Sequence, residues 1–223
     1  MPETPKTNYQ KQLDAILDGI VKQYELVPGR KQTLLLHACC APCSSYVLEY
    51  LAPYFDITIY YYNPNIYPPE EYNRRLGELQ KFLPVFPPAV RNGVKLVKAP
   101  YNPREYEDAV QVNITPELAD EKERGERCRR CYLLRMKKAY EYAVTNHFDW
   151  FTTTLSISPF KDAEKINTIG SALRSADGPG FLTSDFKKKS GFLRSLELSS
   201  EFGLYRQTYC GCRYSFKNKP VAG

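Results

Sequence analysis

The seven cysteines of this sequence fall into three tight groups, and their spacing indicates metal or redox chemistry. Cys39, Cys40 and Cys43 form a C-C-x-x-C run. Cys128 and Cys131 form a C-x-x-C pair, and Cys210 and Cys212 form a C-G-C pair. Cysteine thiolates bind iron in iron–sulfur clusters, zinc and copper(I), and a C-x-x-C pair lets two sulfurs converge on one ion or cluster. We therefore expect the three groups to meet around metal in the folded protein.

Zinc binding and thiol redox chemistry are the alternatives to an iron–sulfur cluster. The two knuckles of a structural zinc site usually lie ~12–20 residues apart, whereas 84 residues separate Cys43 from Cys128. A dithiol oxidoreductase would use one C-x-x-C pair at the start of a helix and leave the other groups unexplained. An iron–sulfur cluster takes three or four thiolates, and the remaining cysteines could hold a second metal or form a redox pair. The residue types favour the cluster but leave zinc and thiol redox chemistry open.

Length and composition predict one ordered domain in a reducing compartment. The chain has 223 residues, of which 43% are hydrophobic, which suffices for a core and argues against disorder. No apolar run approaches the ~18 residues of a membrane span, and the N-terminal residues lack the apolar segment of a signal peptide. We therefore expect a cytoplasmic protein without membrane contact, whose cysteines stay reduced and able to bind metal.

Strands and helices alternate in the pattern of an α/β protein. Apolar and β-branched runs predict strands over residues 33–38, 57–62, 94–98, 150–155 and 181–183. Helical spacing predicts helices over residues 9–26, 44–51, 70–82, 103–110, 128–147 and 162–174. This alternation predicts a layered fold with a mostly parallel sheet flanked by helices. We expect residues 1–30 to form a helical extension and residues 31–223 a single metal-binding catalytic domain.

The predicted topology brings two segments to one edge of the sheet. The first cysteine run directly follows the strand at residues 33–38, and the threonines at 152–154 close the fourth strand. Ligands of parallel sheets bind beyond the carboxyl ends of the strands, so both segments are expected to line one site. We expect His37 to be a supporting core residue and not a ligand. Because neighbouring thiols on an extended turn tend to point apart, Cys39 and Cys40 are expected to serve different metals.

The segment that follows residue 184 is rich in lysine, arginine and tyrosine, a composition that suits contact with RNA. Cations pair with phosphates, and the unstacked bases of an RNA loop lie on aromatic rings. The candidates for RNA contact are Lys187, Lys188, Arg194, Tyr205 and Arg206. Asp185, beside the lysines, is either ion-paired with them or acts as a metal ligand or proton donor. The net charge of +6 supports a nucleic-acid partner only weakly.

Five segments in fixed order resemble the cobalamin-independent epoxyqueuosine reductases, the QueH family. They are H-x-C-C-A-P-C at 37–43, C-x-x-C-Y at 128–132, F-T-T-T-L-S-I-S-P at 151–159, D-F-K-K at 185–188 and L-Y-R-Q-x-Y-C-G-C at 204–212. The resemblance spans residues 33–215 and leaves the N-terminal helix outside. It implies a HUP-like fold, that of the adenine nucleotide alpha hydrolase-like proteins. It also implies reduction of epoxyqueuosine to queuosine in the anticodon wobble nucleotide of tRNA, with a [4Fe–4S] cluster and a second metal ion, iron.

The resemblance also implies roles for individual residues. We predict that the cluster is held by Cys39 or Cys40, by the Cys128–Cys131 pair and by one of Cys210 and Cys212. The remaining cysteines, Cys43 among them, and Asp185 would serve the second metal or redox steps. The residues predicted to be catalytic are Asp185, Cys39 and Cys212. Lys187, Lys188, Arg194, Tyr205 and Arg206 would contact tRNA.

The implied reaction removes the epoxide oxygen as water, which consumes two electrons and two protons. The cluster would deliver electrons from a donor that the sequence does not identify, the second metal would act on the epoxide oxygen as a Lewis acid, and Asp185 or a water would supply a proton. An iron–sulfur tRNA thiolation enzyme is one rival, but it needs an ATP-binding loop, and the sequence has no glycine-rich phosphate loop. A non-catalytic zinc module that binds RNA is the other.

Overall fold

A five-stranded parallel sheet forms the centre of the computed structural model, which describes residues 7–26 and 29–217. The strands are β1 (Gln32–His37), β2 (Phe55–Tyr61), β3 (Lys95–Lys98), β4 (Trp150–Thr153) and β5 (Gly180–Phe181). Their spatial order is β3-β2-β1-β4-β5, and each neighbouring pair runs parallel. The predicted α/β class with a parallel sheet is therefore confirmed, and the strand order is consistent with a HUP-like fold.

Nine helices among the described residues cover the sheet or extend its carboxyl edge. They are α1 (Tyr9–Leu26), α2 (Ala41–Leu51), α3 (Pro69–Phe82), α4 (Pro87–Arg91), α5 (Pro103–Val110), α6 (Glu126–Thr145), α7 (Ala163–Leu173), α8 (Gly191–Glu201) and α9 (Arg213–Lys217). Six of them were expected from helical spacing, whereas α4, α8 and α9 were not. Within the described ranges, no helix has the length and apolarity needed to cross a membrane.

Both faces of the sheet are buried, as expected for parallel strands between helices. Alternate residues of β1 point to opposite layers: Leu34 and Leu36 belong to one core cluster and Leu35 to the other. Leu13 and Leu17 of α1 lie in the first of these clusters, so α1 packs into the main core. The predicted division at residue 30 stays a prediction, and residues 1–6, 27–28 and 218–223 of the two predicted segments lie outside the described residues.

The strand order reverses at β1, and this reversal creates the crevice in which the site lies. From β1 the chain moves to β2 and β3 on one side and later forms β4 and β5 on the other. His37 and Thr153, at the ends of β1 and β4, are partners in the sheet register. The first cysteine run follows β1, and a 3-10 turn, Thr154–Ile157, follows β4. Doubly wound sheets bind their ligands in such a crevice.

Helix α8 carries weak local signals, which explains why the sequence does not indicate it. Its eleven residues begin with a glycine and include three serines, all of them poorer helix formers than alanine. Packing against α2 stabilises it instead: a Cβ built on Gly191 would lie 2.3 Å from the ring of Tyr46. The close approach of the two helices therefore requires glycine at this position.

Candidate metal centre

Cys39, Cys40 and Cys43 converge at the start of α2. Cys40 precedes the helix in extended conformation, with φ −171° and ψ 161°, and Pro42 lies in the first turn. The three sulfurs lie within 4.8 Å of one another, and the Cys39 and Cys40 sulfurs are 3.8 Å apart. The expectation that these neighbours point apart is wrong, because the abrupt change from extended to helical backbone turns both side chains to the same side. The three thiols form one compact donor set.

One thiol of this donor set is prepared to carry negative charge. Hydrogen bonds from Cys40 and Cys43 lower the pKa of Cys39 well below its ordinary value, and the charges of Arg135 and Arg75 act in the same direction. The hydrogen bond to Cys39 raises the pKa of Cys40 to about 12, and the hydrogen bonds to Cys39 and Cys40 raise the pKa of Cys43. A bound cation would convert all three thiols to thiolates.

The other four cysteines lie on α6 and on the loop before α9. Cys128 and Cys131 are one turn apart on α6, and Cys131 shares a buried cluster with Cys212. Burial first, and then the charges of the Cys210 and Cys212 sulfurs, raise the pKa of Cys131 to about 12. The same two sulfurs act on Cys128, whose pKa is raised mainly by burial. The two chain segments thus bring four thiols into one neighbourhood.

Backbone hydrogen bonds fix the loop that carries Cys210 and Cys212. Gly211 between them has φ +119°, a conformation that L side chains rarely adopt. Its carbonyl oxygen accepts a 2.7 Å hydrogen bond from the Tyr67 amide. The amide of Cys210 donates to the Ser215 hydroxyl, and the amide of Ser215 donates to the Cys212 sulfur. Glycine is therefore the residue that lets both thiols turn toward α6.

Several buried cations lie near the thiols, and three of them contact or act on the cysteine segments most directly. Arg75, Arg135 and Lys161 are 1%, 2% and 9% exposed. Arg75 pairs with Glu71 at 2.7 Å and donates to the Cys210 carbonyl oxygen. Buried charge without a partner is costly, so the centre requires anions.

The thiols supply these anions. Arg135 donates to the Asn63 side chain at 2.6 Å and lies in electrostatic range of Cys39, Cys131 and Cys210. Lys161 Nζ lies 2.9 Å from the Cys210 sulfur. Burial acts to lower the pKa of Lys161, but the Cys210 sulfur and Tyr132 together outweigh it and raise the pKa well above its ordinary value. All seven cysteines lie within the described ranges and are free of disulfides. This donor set, rich in sulfur and balanced by buried cations, fits a metal–thiolate centre.

His37 supports the centre from the end of β1. It is fully buried, and its Nδ1 and Nε2 atoms lie 2.8 Å from the Thr153 hydroxyl and 3.1 Å from the Tyr62 carbonyl oxygen. Burial, aided by the charge of Arg135, lowers the pKa of His37 to about 3, so the ring is neutral. The prediction of a satisfied core histidine is confirmed.

A cavity of about 550 Å³ opens beside the thiols. Cys39, Cys43 and Cys210 line it, together with Gln207, whose side-chain amide donates to the Cys40 sulfur at 3.3 Å, and Arg206. The volume is typical of a small-molecule pocket and would admit one nucleoside. Substrate in this cavity would therefore meet both thiol groups.

Asp185 has a lysine partner in this structure. Its carboxylate lies 2.6 Å from the ammonium of Lys187, which also donates to the Ser156 carbonyl oxygen. Among the described residues, the set of metal-binding side chains that meet within 4.8 Å consists of Cys39, Cys40 and Cys43 and does not include Asp185. Its predicted role as ligand or proton donor stays a prediction.

The residues predicted to contact RNA differ in their surroundings. Arg206 lines the cavity and donates to the Ser199 hydroxyl, and Lys188 is exposed. Arg194 instead forms an ion pair with Glu49 at 2.8 Å, and the Tyr205 hydroxyl donates to Glu71. Arg206 lines the cavity and Lys188 is exposed, and among the described contacts neither side chain is paired with a carboxylate. Arg194 and Tyr205 are already paired with one.

Arg75, Arg135 and Gln207 are parts of the centre that were not predicted. The sequence contains one indication that Arg75 and Arg135 belong to a site. Each interrupts the apolar face of an amphipathic helix: Arg75 lies between Tyr72 and Leu76, and Arg135 beside Met136. A charged residue on a buried helix face requires a buried partner, which is a usable indication of a site.

The fold and the site define a thiol-rich α/β protein with a candidate metal centre at the strand-order reversal. Comparison with known proteins gives the family: residues 34–218 match the family model of "Epoxyqueuosine reductase QueH", and the chain belongs to this family. A relative of that name from Streptococcus pyogenes serotype M1 is 40% identical over 221 residues, covering 99% of this chain and 83% of the relative. One from Staphylococcus aureus is 39% identical over 210 residues, covering 94% and 84%. One from Thermotoga maritima is 32% identical over 183 residues, covering 82% and 90%.

Proposed function

We propose that this protein reduces epoxyqueuosine to queuosine in the anticodon wobble nucleotide of tRNA, in the cytoplasm. The observation that carries the proposal is a cavity the size of a nucleoside that is lined by Cys39, Cys43 and Cys210 of the two thiol groups, in a chain of this family. The partners are tRNA and an electron donor that is still to be identified.

We propose that the two thiol groups hold different cofactors. Cys128, Cys131, Cys210 and Cys212 would hold a [4Fe–4S] cluster, and Cys39, Cys40 and Cys43 a second metal ion, iron, with Asp185 as a further candidate ligand. What supports this division is the mutual electrostatic influence within the group of four and the close approach of the sulfurs in the group of three. It differs from the assignment based on sequence, which gave Cys39 or Cys40 to the cluster.

When bound, these cofactors would supply single electrons and Lewis acidity for removal of the epoxide oxygen. The side chains of the protein prepare the site for that chemistry. Arg135, between the two thiol groups, stabilises negative charge on both. The neutral ring of His37 forms hydrogen bonds with Thr153 and Tyr62 and adds no charge to the centre. Both carbon–oxygen bonds of the epoxide break, a carbon–carbon double bond forms, and two electrons and two protons release the oxygen as water. Asp185 or a water stays the proposed proton donor.

We propose that the substrate RNA is held mainly by the side chains near the cavity. Arg206 and Lys188 would pair with phosphates, and Lys187, Arg194 and Tyr205 would contribute after exchanging their present partners. Replacing one lysine that contacts phosphate should lower the salt dependence of binding by about one unit of slope.

The test is single-turnover conversion under anaerobic conditions. Metal-loaded protein is incubated with tRNA that contains epoxyqueuosine and with a chemical reductant, and the nucleosides are then analysed by mass spectrometry. We expect loss of epoxyqueuosine and a matching gain of queuosine, with Cys131→Ser as the inactive control. Unchanged epoxyqueuosine with a fully loaded centre would contradict the proposal. A gain of sulfur mass that depends on ATP would identify a thiolation enzyme, and colourless protein that holds zinc and no iron would identify a binding module.

A further inference from the structure

Phe160 is a large apolar side chain that the fold leaves exposed at the edge of the cavity. It is 66% exposed, and it lines the same cavity as Cys39, Cys43 and Cys210. A single exposed phenylalanine is common on protein surfaces and needs no explanation by itself. Phe160 differs in that it lies beside the thiols of the candidate metal centre, and the backbone on both sides of it is held by hydrogen bonds.

The backbone around Phe160 is held in place by hydrogen bonds. The guanidinium of Arg124 donates to the carbonyl oxygen of Pro159, the residue before it. The residue after it, Lys161, is buried and contacts the Cys210 sulfur. The amide of Phe160 itself donates to the Ser158 hydroxyl at 3.3 Å. The ring is therefore presented from a fixed position relative to the centre.

The surroundings of Phe160 combine aromatic rings and cations. Phe192 also lines the cavity, and the guanidinium carbon of Arg206 lies 5.8 Å from the centre of its ring. Residues 120–124 form the rim next to Phe160: residues 120–123 line the cavity, Lys122 and Arg124 are exposed there, and Arg124 contacts Pro159. Rings that stack on unpaired bases, next to cations that pair with phosphates, are the usual features of sites for single-stranded RNA.

Three acidic residues, Asp120, Glu121 and Glu123, lie in the same rim, and the carboxylates of Glu121 and Glu123 have partners. Glu121 accepts hydrogen bonds from the amides of Glu126 and Arg127 at the start of α6. Glu123 accepts one from the Ser215 hydroxyl. A docking surface for a protein would need a contiguous apolar patch, whereas residues 120–123 next to Phe160 are all charged, three of them acidic and one, Lys122, basic.

We propose that Phe160 is a positioning residue on which an unpaired base flanking the modified nucleotide stacks. The inference rests on the proposed function, since it takes an anticodon loop as the substrate. A nucleotide that enters the cavity to reach the thiols must pass the rim. The base of the neighbouring nucleotide would then meet the exposed ring of Phe160. Stacking there holds the loop so that the modified base stays in the cavity, and Phe160 takes no part in bond breaking.

The first test separates binding from chemistry. With a chemical reductant, Phe160→Ala should raise KM for tRNA containing epoxyqueuosine by about tenfold and leave kcat unchanged, and Phe160→Tyr should restore KM. Val85→Ala is the matched control, because Val85 is 62% exposed but does not line the cavity. An unchanged KM in Phe160→Ala, while the natural protein is active, would overturn the inference. So would a defect that appears only with a protein as electron donor, since Phe160 would then bind that protein.

The second test does not depend on turnover. Phe160→Trp places an exposed indole at the rim, and the natural chain has one other tryptophan, Trp150. Addition of an unmodified anticodon stem-loop should quench the fluorescence of the new tryptophan through stacking, whereas an RNA duplex without a loop should not. Equal quenching by both RNAs, or none, would overturn the inference. If the natural protein fails to convert epoxyqueuosine but loop-specific quenching occurs, the proposed reaction is wrong and the stacking site stands.

Discussion

The ammonium of Lys161 lies 2.9 Å from the sulfur of Cys210 in the interior of the protein. This contact places a positive charge directly against one of the four thiols that we assign to the cluster. Hydrogen bonds to a cluster's sulfur ligands and nearby charges set its reduction potential. Lys161 has no redox chemistry of its own, but through this contact it would influence the reduction potential of the cluster.

Lys161→Met should lower the reduction potential of the loaded centre. The reduced cluster carries more negative charge, so loss of the ammonium disfavours reduction by on the order of 60 mV, the equivalent of one charged hydrogen bond. A redox titration followed by electron paramagnetic resonance would measure the shift. Lys165→Met, four residues away and more exposed, is the control and should leave the potential unchanged. Equal potentials for Lys161→Met and the natural protein would show that Cys210 does not bind the cluster.

The two thiol groups should respond differently to serine substitution. Cys128→Ser and Cys212→Ser should abolish the brown colour and most of the bound iron, because each removes one of the four proposed cluster ligands. Cys43→Ser should keep the colour and lose only the additional metal ion. Iron and sulfide analysis, with visible spectroscopy, distinguishes these results. Loss of the cluster in Cys43→Ser would instead indicate that cysteines from both thiol groups hold the cluster.

Gly211→Ala should reduce metal loading. The positive φ disfavours any L side chain, and a Cβ would lie 3.0 Å from a terminal nitrogen of Arg75. We expect a loss of about 1 kcal/mol or more in the free energy of unfolding, together with a displaced Cys210–Cys212 loop.

The matched control for this change is Gly93→Ala. Gly93 also has positive φ, but no atom lies within 4 Å of a Cβ built there. Both variants should lose stability in chemical denaturation, and only Gly211→Ala should lose metal. Equal metal contents in the two variants would argue against a role of the loop in binding.

Asp14→Asn should weaken the docking of α1 in a manner that depends on pH. Asp14 accepts hydrogen bonds from Lys189, Tyr50 and Gln10. Burial acts to raise the pKa of Asp14, but these hydrogen bonds, Lys189 first, lower it below 3.8. A lowered folded-state pKa stabilises the protein above the unfolded value and loses this contribution as the pH falls.

At pH 7, Asp14→Asn should therefore cost up to about 1 kcal/mol, since the pair is partly exposed, and the difference from the natural protein should shrink below about pH 4. Denaturant titrations at several pH values would measure it. Asp18→Asn, an exposed position on the same helix, should show no such trend. A cost that stays constant down to pH 3 would mean that the charge of Asp14 contributes nothing.

Local sequence patterns were sufficient to predict the sheet and the grouping of thiols. The runs around Leu34 and Phe151 are apolar enough to mark buried strands, and C-x-x-C spacing is visible without a structure. The strand-to-helix junction at Cys40 was misjudged, because the direction of a side chain depends on where the helix begins. That residue shows φ −171° directly before Ala41. Such details depend on backbone geometry that residue types do not specify.

The parts that were not predicted depend on contacts between distant segments. Helix α8 forms because Gly191 packs against Tyr46, an interaction that spans 145 positions of the chain. Arg75 and Arg135 matter because folding carries them to thiols on other elements. Pattern analysis of one segment at a time cannot reveal charge that another segment neutralises.

The buried cations have a consequence for the lifetime of the protein in a cell. Arg135 and Lys161 have thiol groups as their anionic partners at the centre, so a chain without metal, in which fewer thiols have lost their protons, balances these buried cations less completely. Less stable chains are unfolded more often and are degraded faster. The amount of this protein would then follow the supply of metal as well as the rate of synthesis, and scarcity of that metal would remove the enzyme itself.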